Sequence, residues 1–212
     1  MIRSDSTRPV AIGAVLLLVG AAATAQAPPP RPAGIYLEVP GKSGDDAVIK
    51  IHGAFATEMK TKGMAGMMLT GGLKKAGMVG VLAGAAATVR AAGGDVAFDF
   101  YFDQRAGSSP MSMTPEDAMK MMGGDGMPMM AHRAEEFMLI RLTPKENERE
   151  AQLGAVGSTG KSKDAVPCAF QTLAPGIFRV RPKDPLPPGE YAFTFVSQGG
   201  GGQLWDFGVD SK

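Results

Sequence analysis

Short segments of alternating apolar and polar residues constrain the fold of this chain most strongly. The clearest segment is residues 95–103, in which every second residue is apolar and three of these are phenylalanines. Each phenylalanine buries on the order of 150–250 Å² in a core, so this face predicts the centre of two packed sheets. The apolar face consists of Val96, Phe98, Phe100 and Phe102.

Similar segments recur about every ten residues and are separated by glycine and proline, the pattern of a β-sandwich or barrel. In a chain of 212 residues we therefore predict an all-β fold, an immunoglobulin-like antiparallel β-sandwich of roughly eight to ten strands. Residues 53–78 follow no lasting period and are predicted to be mostly loop. The other predicted strands are 35–39, 48–52, 78–82, 87–90, 137–143, 148–153, 168–173, 177–181, 191–196 and 203–209.

Two details of side-chain direction follow from the same alternation. In the last strand Trp205, Phe207 and Val209 are predicted to lie in the core, which leaves Asp206 in solvent. The polar face of residues 95–103 is likewise predicted to be solvated, with Asp99 on it. Asp103 shares this face with Asp99, and metal binding by these two aspartates is not needed to explain their spacing.

Residues 186–191, Leu-Pro-Pro-Gly-Glu-Tyr, predict a turn that delivers Tyr191 just inside a strand. In the tyrosine corner of immunoglobulin-like sandwiches the ring packs inward and the hydroxyl caps nearby backbone. We expect Tyr191 to stabilise the fold in this way.

The first 25 residues have the order of an export signal. A short polar start with Arg3 and Arg8 precedes an apolar run at 10–23, and small residues before and at Ala25 suit cleavage there. The following residues, 26–33, read as a proline-rich spacer, and 34–212 as the β-sandwich domain. We therefore expect a periplasmic or secreted protein.

Charge limits the partners of the mature chain. Cleavage removes Arg3, Arg8 and Asp5, which leaves 20 basic and 20 acidic residues. A neutral chain without a basic tract gives no electrostatic reason to bind nucleic acid. The apolar segment 76–89 is too short to span a membrane, so no span is expected after cleavage.

Cys168 is the only cysteine, so no internal disulfide can form. Its apolar neighbours, Pro167 and Phe170 among them, predict a buried small hydrophobic residue rather than a nucleophile. Its distance from the cleavage site also excludes lipid attachment there.

Residues 107–133 interrupt the strand pattern with a methionine-rich insertion, in which Thr114 and Pro115 predict the start of a short helix. Thioether sulfur is a soft ligand that suits Cu(I) or Ag(I), so the insertion is a candidate metal site. The candidate ligands are Met111, Met113, Met119, Met121, Met122, Met127, Met129, Met130 and His132. The alternative is that adaptable methionines pack on the sandwich edge or form an apolar contact surface.

Three hypotheses about function follow. The leading one is an exported, non-catalytic module that acts by surface contact with an envelope or extracellular protein. The alternative is a periplasmic Cu(I)/Ag(I)-binding protein that uses the insertion. The third is an enzyme whose site is assembled from strand-end loops, which Asp45, Asp46, His52 or His132 converging in a pocket would favour.

Four pieces of sequence also carry a resemblance: Gly34-Ile-Tyr-Leu37, Phe100-Tyr-Phe-Asp103, Leu186 to Phe193, and Leu204 to Asp210. With these pieces the chain resembles a group of uncharacterised exported bacterial β-sandwich proteins that share an L-x-P-G-E-Y-A-F turn and a closing D-F-G-V-D strand. The resemblance implies a secreted all-β fold and brings no catalytic residues with it.

Overall fold

The computed structural model describes residues 28–42, 47–71, 76–102, 131–155, 162–195 and 202–211. The described residues form strands with one short helix, α1 (Met64–Leu69), and a 3₁₀ turn, Ala134–Glu136. This confirms the predicted all-β architecture. The strands are β1 (Gly34–Glu38), β2 (Val48–Ile51), β3 (Gly53–Phe55), β4 (Glu58–Lys62), β5 (Gly77–Ala83), β6 (Arg90–Ala92), β7 (Phe98–Tyr101), β8 (Phe137–Pro144), β9 (Glu148–Ala155), β10 (Ala165–Val166), β11 (Cys168–Ala174), β12 (Ile177–Pro182), β13 (Gly189–Phe195) and β14 (Gln203–Asp210).

The strands form two mainly antiparallel sheets that pack face to face. The smaller sheet has the order β11-β12-β7-β1-β2, and the larger has the order β3-β14-β13-β8-β9-β5-β4 with β10 beside β8 and β6 beside β14. The predicted phenylalanine face lies between them: Phe98 and Phe100 are fully buried, with ring centroids 4.9 and 5.1 Å from that of Phe193. Edge-to-face contacts of this kind favour a fixed arrangement of the two sheets.

The larger sheet closes on itself, a feature that the predicted sandwich did not include. Its first strand, β3, runs directly into its last strand, β4, through Ala56 and Thr57. The Ala56 amide donates to the Gly202 carbonyl at 2.6 Å, and the Thr57 amide donates to the Val81 carbonyl at 2.8 Å. One bent strand therefore joins β14 to β5 and makes a closed ring of strands.

The inside of this strand ring holds a second, smaller apolar cluster. It contains Ile140 and Leu142, as alternation in the predicted 137–143 strand requires, and Leu204 from β14. The ring is narrow at Gly80, where an added Cβ would lie 3.3 Å from the Leu153 side chain and 3.4 Å from Ala56. The absence of a side chain at Gly80 therefore lets Leu153 and Ala56, from the elements on either side of β5, pack closely inside the ring.

The predicted hairpins at 137–153, 168–181 and 191–209 are confirmed. The prediction of a mostly loop segment over 53–78 is wrong, because β3, β4 and α1 lie there. Their pairing partners, β14 and β5, come from other parts of the chain and leave no period in the segment itself. The strand predicted at 87–90 is displaced to β6.

Each sheet contains a tyrosine corner of the same design. Tyr191 donates its hydroxyl hydrogen to the Pro187 carbonyl at 2.7 Å, as predicted, and Tyr36 donates to the Pro32 carbonyl at 2.9 Å. Both stretches read Pro-x-Gly-x-Tyr, and both glycines, at positions 34 and 189, have a φ of 156°. The repeated spacing and glycine conformation bring each tyrosine back over the entry to its own strand.

We predict that Tyr191→Phe and Tyr36→Phe each lower the free energy of unfolding by about 1 kcal/mol, the usual net value of one buried hydrogen bond. Urea denaturation of the two variants and the unmodified domain measures this difference. Midpoints identical to that of the unmodified domain would show that the hydroxyls do not stabilise the corners.

Candidate functional site

The eight methionines of the predicted metal site lie outside the described residues, so their convergence stays a prediction. His132 is described, is exposed, and donates its backbone amide to the Glu136 carboxylate at 2.7 Å. Glu136 also accepts the Arg133 amide at 3.1 Å, which fixes the chain as it enters β8. This interaction orients the backbone at position 132.

The insertion is attached at one end of the strand ring. The described chain stops at Phe102, resumes at Ala131, and both residues belong to the core between the sheets. The ring centroid of Phe102 lies 6.1 Å from that of Phe137, the first residue of β8. Trp205, near the start of β14, contacts the same phenylalanine at 5.5 Å.

Exposed apolar side chains gather at this same end. Seven large apolar side chains are exposed in the described part of the chain, and five of them fall between residues 55 and 69. Phe55 pairs with Gln203, the first residue of β14, and Met59 approaches Gly202 just before it. We call these five the apolar rim: Phe55, Met59, Met64, Met68 and Leu69.

Helix α1 carries the most exposed part of the apolar rim. Gly63 precedes it in the left-handed conformation at φ 86°, and the Thr70 hydroxyl donates to the Gly66 carbonyl at 2.7 Å after its last turn. Met64 and Met68 share one helix face at i and i+4. Met68 is 75% exposed and Leu69 is 88% exposed, so neither contributes to the core.

The opposite end of the strand ring is filled by charged groups. Arg149, 5% exposed, pairs with Asp206 and lies 3.6 Å from Glu190. Its Nε and Nη2 atoms donate to the Gly84 and Ala83 carbonyls, each at 3.0 Å. The prediction that Asp206 points into solvent is wrong, because the inside of the ring continues past Leu204 to this arginine.

Arg90 extends the cluster outward. It contacts Glu190 at 2.5 Å and donates from Nε to Asp210 at 3.0 Å, while the Ala87 amide donates to Glu190 at 2.8 Å. An added Cβ at Gly208 would lie 2.1 Å from the Arg90 guanidinium, so a larger residue there would shift Arg90 from its present position. Hydrogen bonding to Arg90 lowers the pKa of Asp210. We call Arg90, Arg149, Glu190, Asp206 and Asp210 the ionic seal.

Cys168 is only half-buried, although its surroundings are apolar as predicted. Burial raises the pKa of its thiol to about 12, and the thiol donates to the Val166 carbonyl at 3.6 Å. The thiolate is the nucleophilic form, so the group is inert near neutral pH.

Sequence reasoning missed both ends of the strand ring. The members of the ionic seal are as much as 120 residues apart, and only the fold brings them together. The apolar rim left one weak signal, the i, i+4 spacing of Met64 and Met68 within a segment that lacked a clear period.

The described residues contain no group of three or more His, Cys, Asp or Glu side chains that could hold a metal ion. Within the same residues, no helix has the length and apolar character needed to cross a membrane. No protein-family model, curated protein or solved structure is significantly similar to this chain. Function must therefore be inferred from the chain's own residues.

We predict that Asp206→Ala lowers the free energy of unfolding by about 3 kcal/mol or more, because it leaves the buried Arg149 poorly compensated. Replacing both partners, as Arg149→Met with Asp206→Leu, should recover most of that loss. Urea denaturation measures both effects, and Asp210→Ala, at the exposed edge of the seal, is the matched control with a nearly unchanged midpoint. A tolerated Asp206→Ala would show that the seal does not hold the ring together.

Proposed function

We propose that this chain is an exported, non-catalytic module that acts by surface contact, and that the apolar rim is its contact surface. The observation that carries the proposal is the exposure of Met68 and Leu69, which is 75% and 88%. Covering a side chain of this size fully is worth about 1.5–3 kcal/mol, so a partner that covers several of them gains useful affinity. Methionine suits such a surface because its flexible side chain adapts to the partner.

The charged groups in the described part of the chain support a non-catalytic role. Arg149 and Arg90 hold the ionic seal together, and Arg179 forms a fork with Asp99 on the smaller sheet. These groups are engaged in ion pairs that stabilise the fold. The raised pKa of Cys168 is also unlike that of an activated nucleophile.

Export and fold class complete the proposal. The signal over residues 1–25 directs the chain to the periplasm or the medium, where the partner is an envelope or extracellular protein. The immunoglobulin-like assignment stays a prediction, supported by the two packed sheets and the Tyr191 corner. The strand that closes the larger sheet is an addition to that plan.

Cu(I) or Ag(I) binding by residues 111–130 is the second candidate. One observation favours it: the insertion joins the core at the end of the strand ring that also carries Met59. Cu(I) titration against a competing chelator tests it, with Met119, Met121 and Met122 changed together to Leu. An unchanged affinity would exclude a site built on these three sulfurs.

Photo-crosslinking in the producing cells tests the contact proposal. A benzophenone amino acid at position 68 should give a discrete crosslinked product of higher mass, because that side chain lies in the contact. The same group at position 170, where Phe170 is exposed at 39% on β11, is the matched control and should give none.

Leu69→Glu should abolish the product from position 68, since a charge in the contact opposes desolvation. Equal crosslinking from positions 68 and 170, or none from 68, would contradict the proposal. A product of exactly two copies of the chain would assign the rim to self-association instead.

A further inference from the structure

A cavity of about 540 Å³ lies on the outer face of the smaller sheet, whereas the apolar rim lies on α1 and on the β3–β4 segment of the larger sheet. Its floor is formed by β1, β7 and β12, and its walls include Pro28, Pro29 and the turn after β1 at Pro40 and Gly41. This volume falls in the range of about 300–1,000 Å³ that is usual for small-molecule sites.

A rigid ion pair forms the centre of the floor. The prediction that Asp99 is solvated is wrong, because the residue is 3% exposed. It accepts two hydrogen bonds from the Arg179 guanidinium, from Nε to Oδ1 at 2.9 Å and from Nη2 to Oδ2 at 3.1 Å. Arg179 also contacts Glu38 on β1. The three groups hold one another in place, so the floor is pre-organised.

The wall beside this pair is equally well fixed. Tyr36 and Tyr101 pack edge to face with ring centroids 5.3 Å apart, and the Arg31 guanidinium lies 5.8 Å from the centroid of Tyr36. Burial raises the pKa of both tyrosines. The aromatic pair thus supports the segment that brings Pro28 and Pro29 over the cavity.

Ala97 is the small residue of the floor and lies between two longer residues of the neighbouring strands. Alternation from the buried Phe98 places Ala97 on the outer face, and the β7–β12 register continues to Arg181 opposite it. Glu38, whose amide donates to the Ala97 carbonyl at 2.9 Å, lies on the other side. Glu38 and Arg181 approach each other to 3.7 Å across Ala97, which is 6% exposed, so their charged groups form the surface that a ligand meets here.

Arg181 is a basic residue of the cavity whose guanidinium can still bind a ligand. Its side chain is 54% exposed, and its ion pair with Glu38 is 3.7 Å long, beyond hydrogen-bond distance. Lys42 lies exposed at the wall. The lining carries four basic residues (Arg31, Lys42, Arg179 and Arg181) and three acidic residues (Glu38, Asp95 and Asp99), an excess of one positive charge.

We propose that this cavity binds a small molecule through its carboxylate, which the exposed guanidinium of Arg181 receives. A guanidinium fork matches the two oxygens of a carboxylate, and Lys42 adds a second positive charge. Asp95 at the rim of the cavity accepts a hydrogen bond from a donor elsewhere on the ligand. The terminal carboxylate of a short peptide and the carboxylate of a sugar acid share this chemistry.

Titration of the isotope-labelled mature domain, followed by NMR, tests the proposal. One arm uses N-acetyl-alanyl-alanine and its C-terminal amide, which differ only in the negative charge; the other uses glucuronate and glucose. At least one acid should give saturable shifts of amides in β7 and β12, with its uncharged counterpart at least about ten-fold weaker. The acid that does so identifies the source of the carboxylate.

Arg181→Gln should weaken binding of that acid by about ten-fold or more. Arg133→Gln is the matched control, because Arg133 is an exposed arginine with one long ion pair of 3.5 Å on another part of the surface. Three results would overturn the proposal: no saturable shift with either acid, equal binding of acid and uncharged counterpart, or unchanged affinity in Arg181→Gln with its folded spectrum retained. None of them bears on the apolar rim.

Discussion

The pairing of Arg149 with Asp206 and Glu190 inside one end of the strand ring is the interaction on which the rest of the structure depends. A buried guanidinium is tolerated only when carboxylates and carbonyls surround it, and here they come from β13, β14 and the residues that follow β5. These elements must therefore meet at one point. Once they do, that end of the ring is filled, and the apolar rim lies at the other end.

Closure of the larger sheet has a second consequence. Strands β8, β13 and β14 are covered on one face by the smaller sheet and on the other by the inside of the ring, so nearly all their side chains are used in packing. None of the described side chains of α1 belongs to either core cluster. The exposure of Met68 and Leu69 is therefore not the result of an incompletely packed core. In the proposed function, these two apolar side chains are exposed because they contact a partner.

Patterns in short stretches of sequence predicted the strands and hairpins that form between neighbouring segments of the chain. Alternation located β7 with its phenylalanines and the hairpins β8–β9, β11–β12 and β13–β14, because these pairs are neighbours in sequence. It could not predict the closing strand β3–β4, whose partners are distant. It also identified the faces that carry Asp99 and Asp206 but misjudged both as solvated, since their arginine partners lie 80 and 57 residues away.

The candidate sites show the same division. The high density of methionines at 111–130 made that segment the candidate site in the sequence. The exposed methionines Met64 and Met68 lie instead on α1, in a segment where no periodic pattern predicted a helix. The cavity on the smaller sheet left no sequence signal, because its charged residues come from β12 and from the chain around β1 and β7, which are distant in the sequence. Chemistry that is assembled across strands becomes visible only once their register is known.

The most direct test of the account is methionine oxidation by hydrogen peroxide, read by peptide mass spectrometry, in the purified mature protein and in the cells that export it. Met138, half-buried inside the strand ring, is the internal reference. In the purified protein Met64 and Met68 should oxidise much faster than this reference. In the cells a partner should slow them several-fold relative to it, whereas equal relative rates in both samples would contradict a contact at the apolar rim.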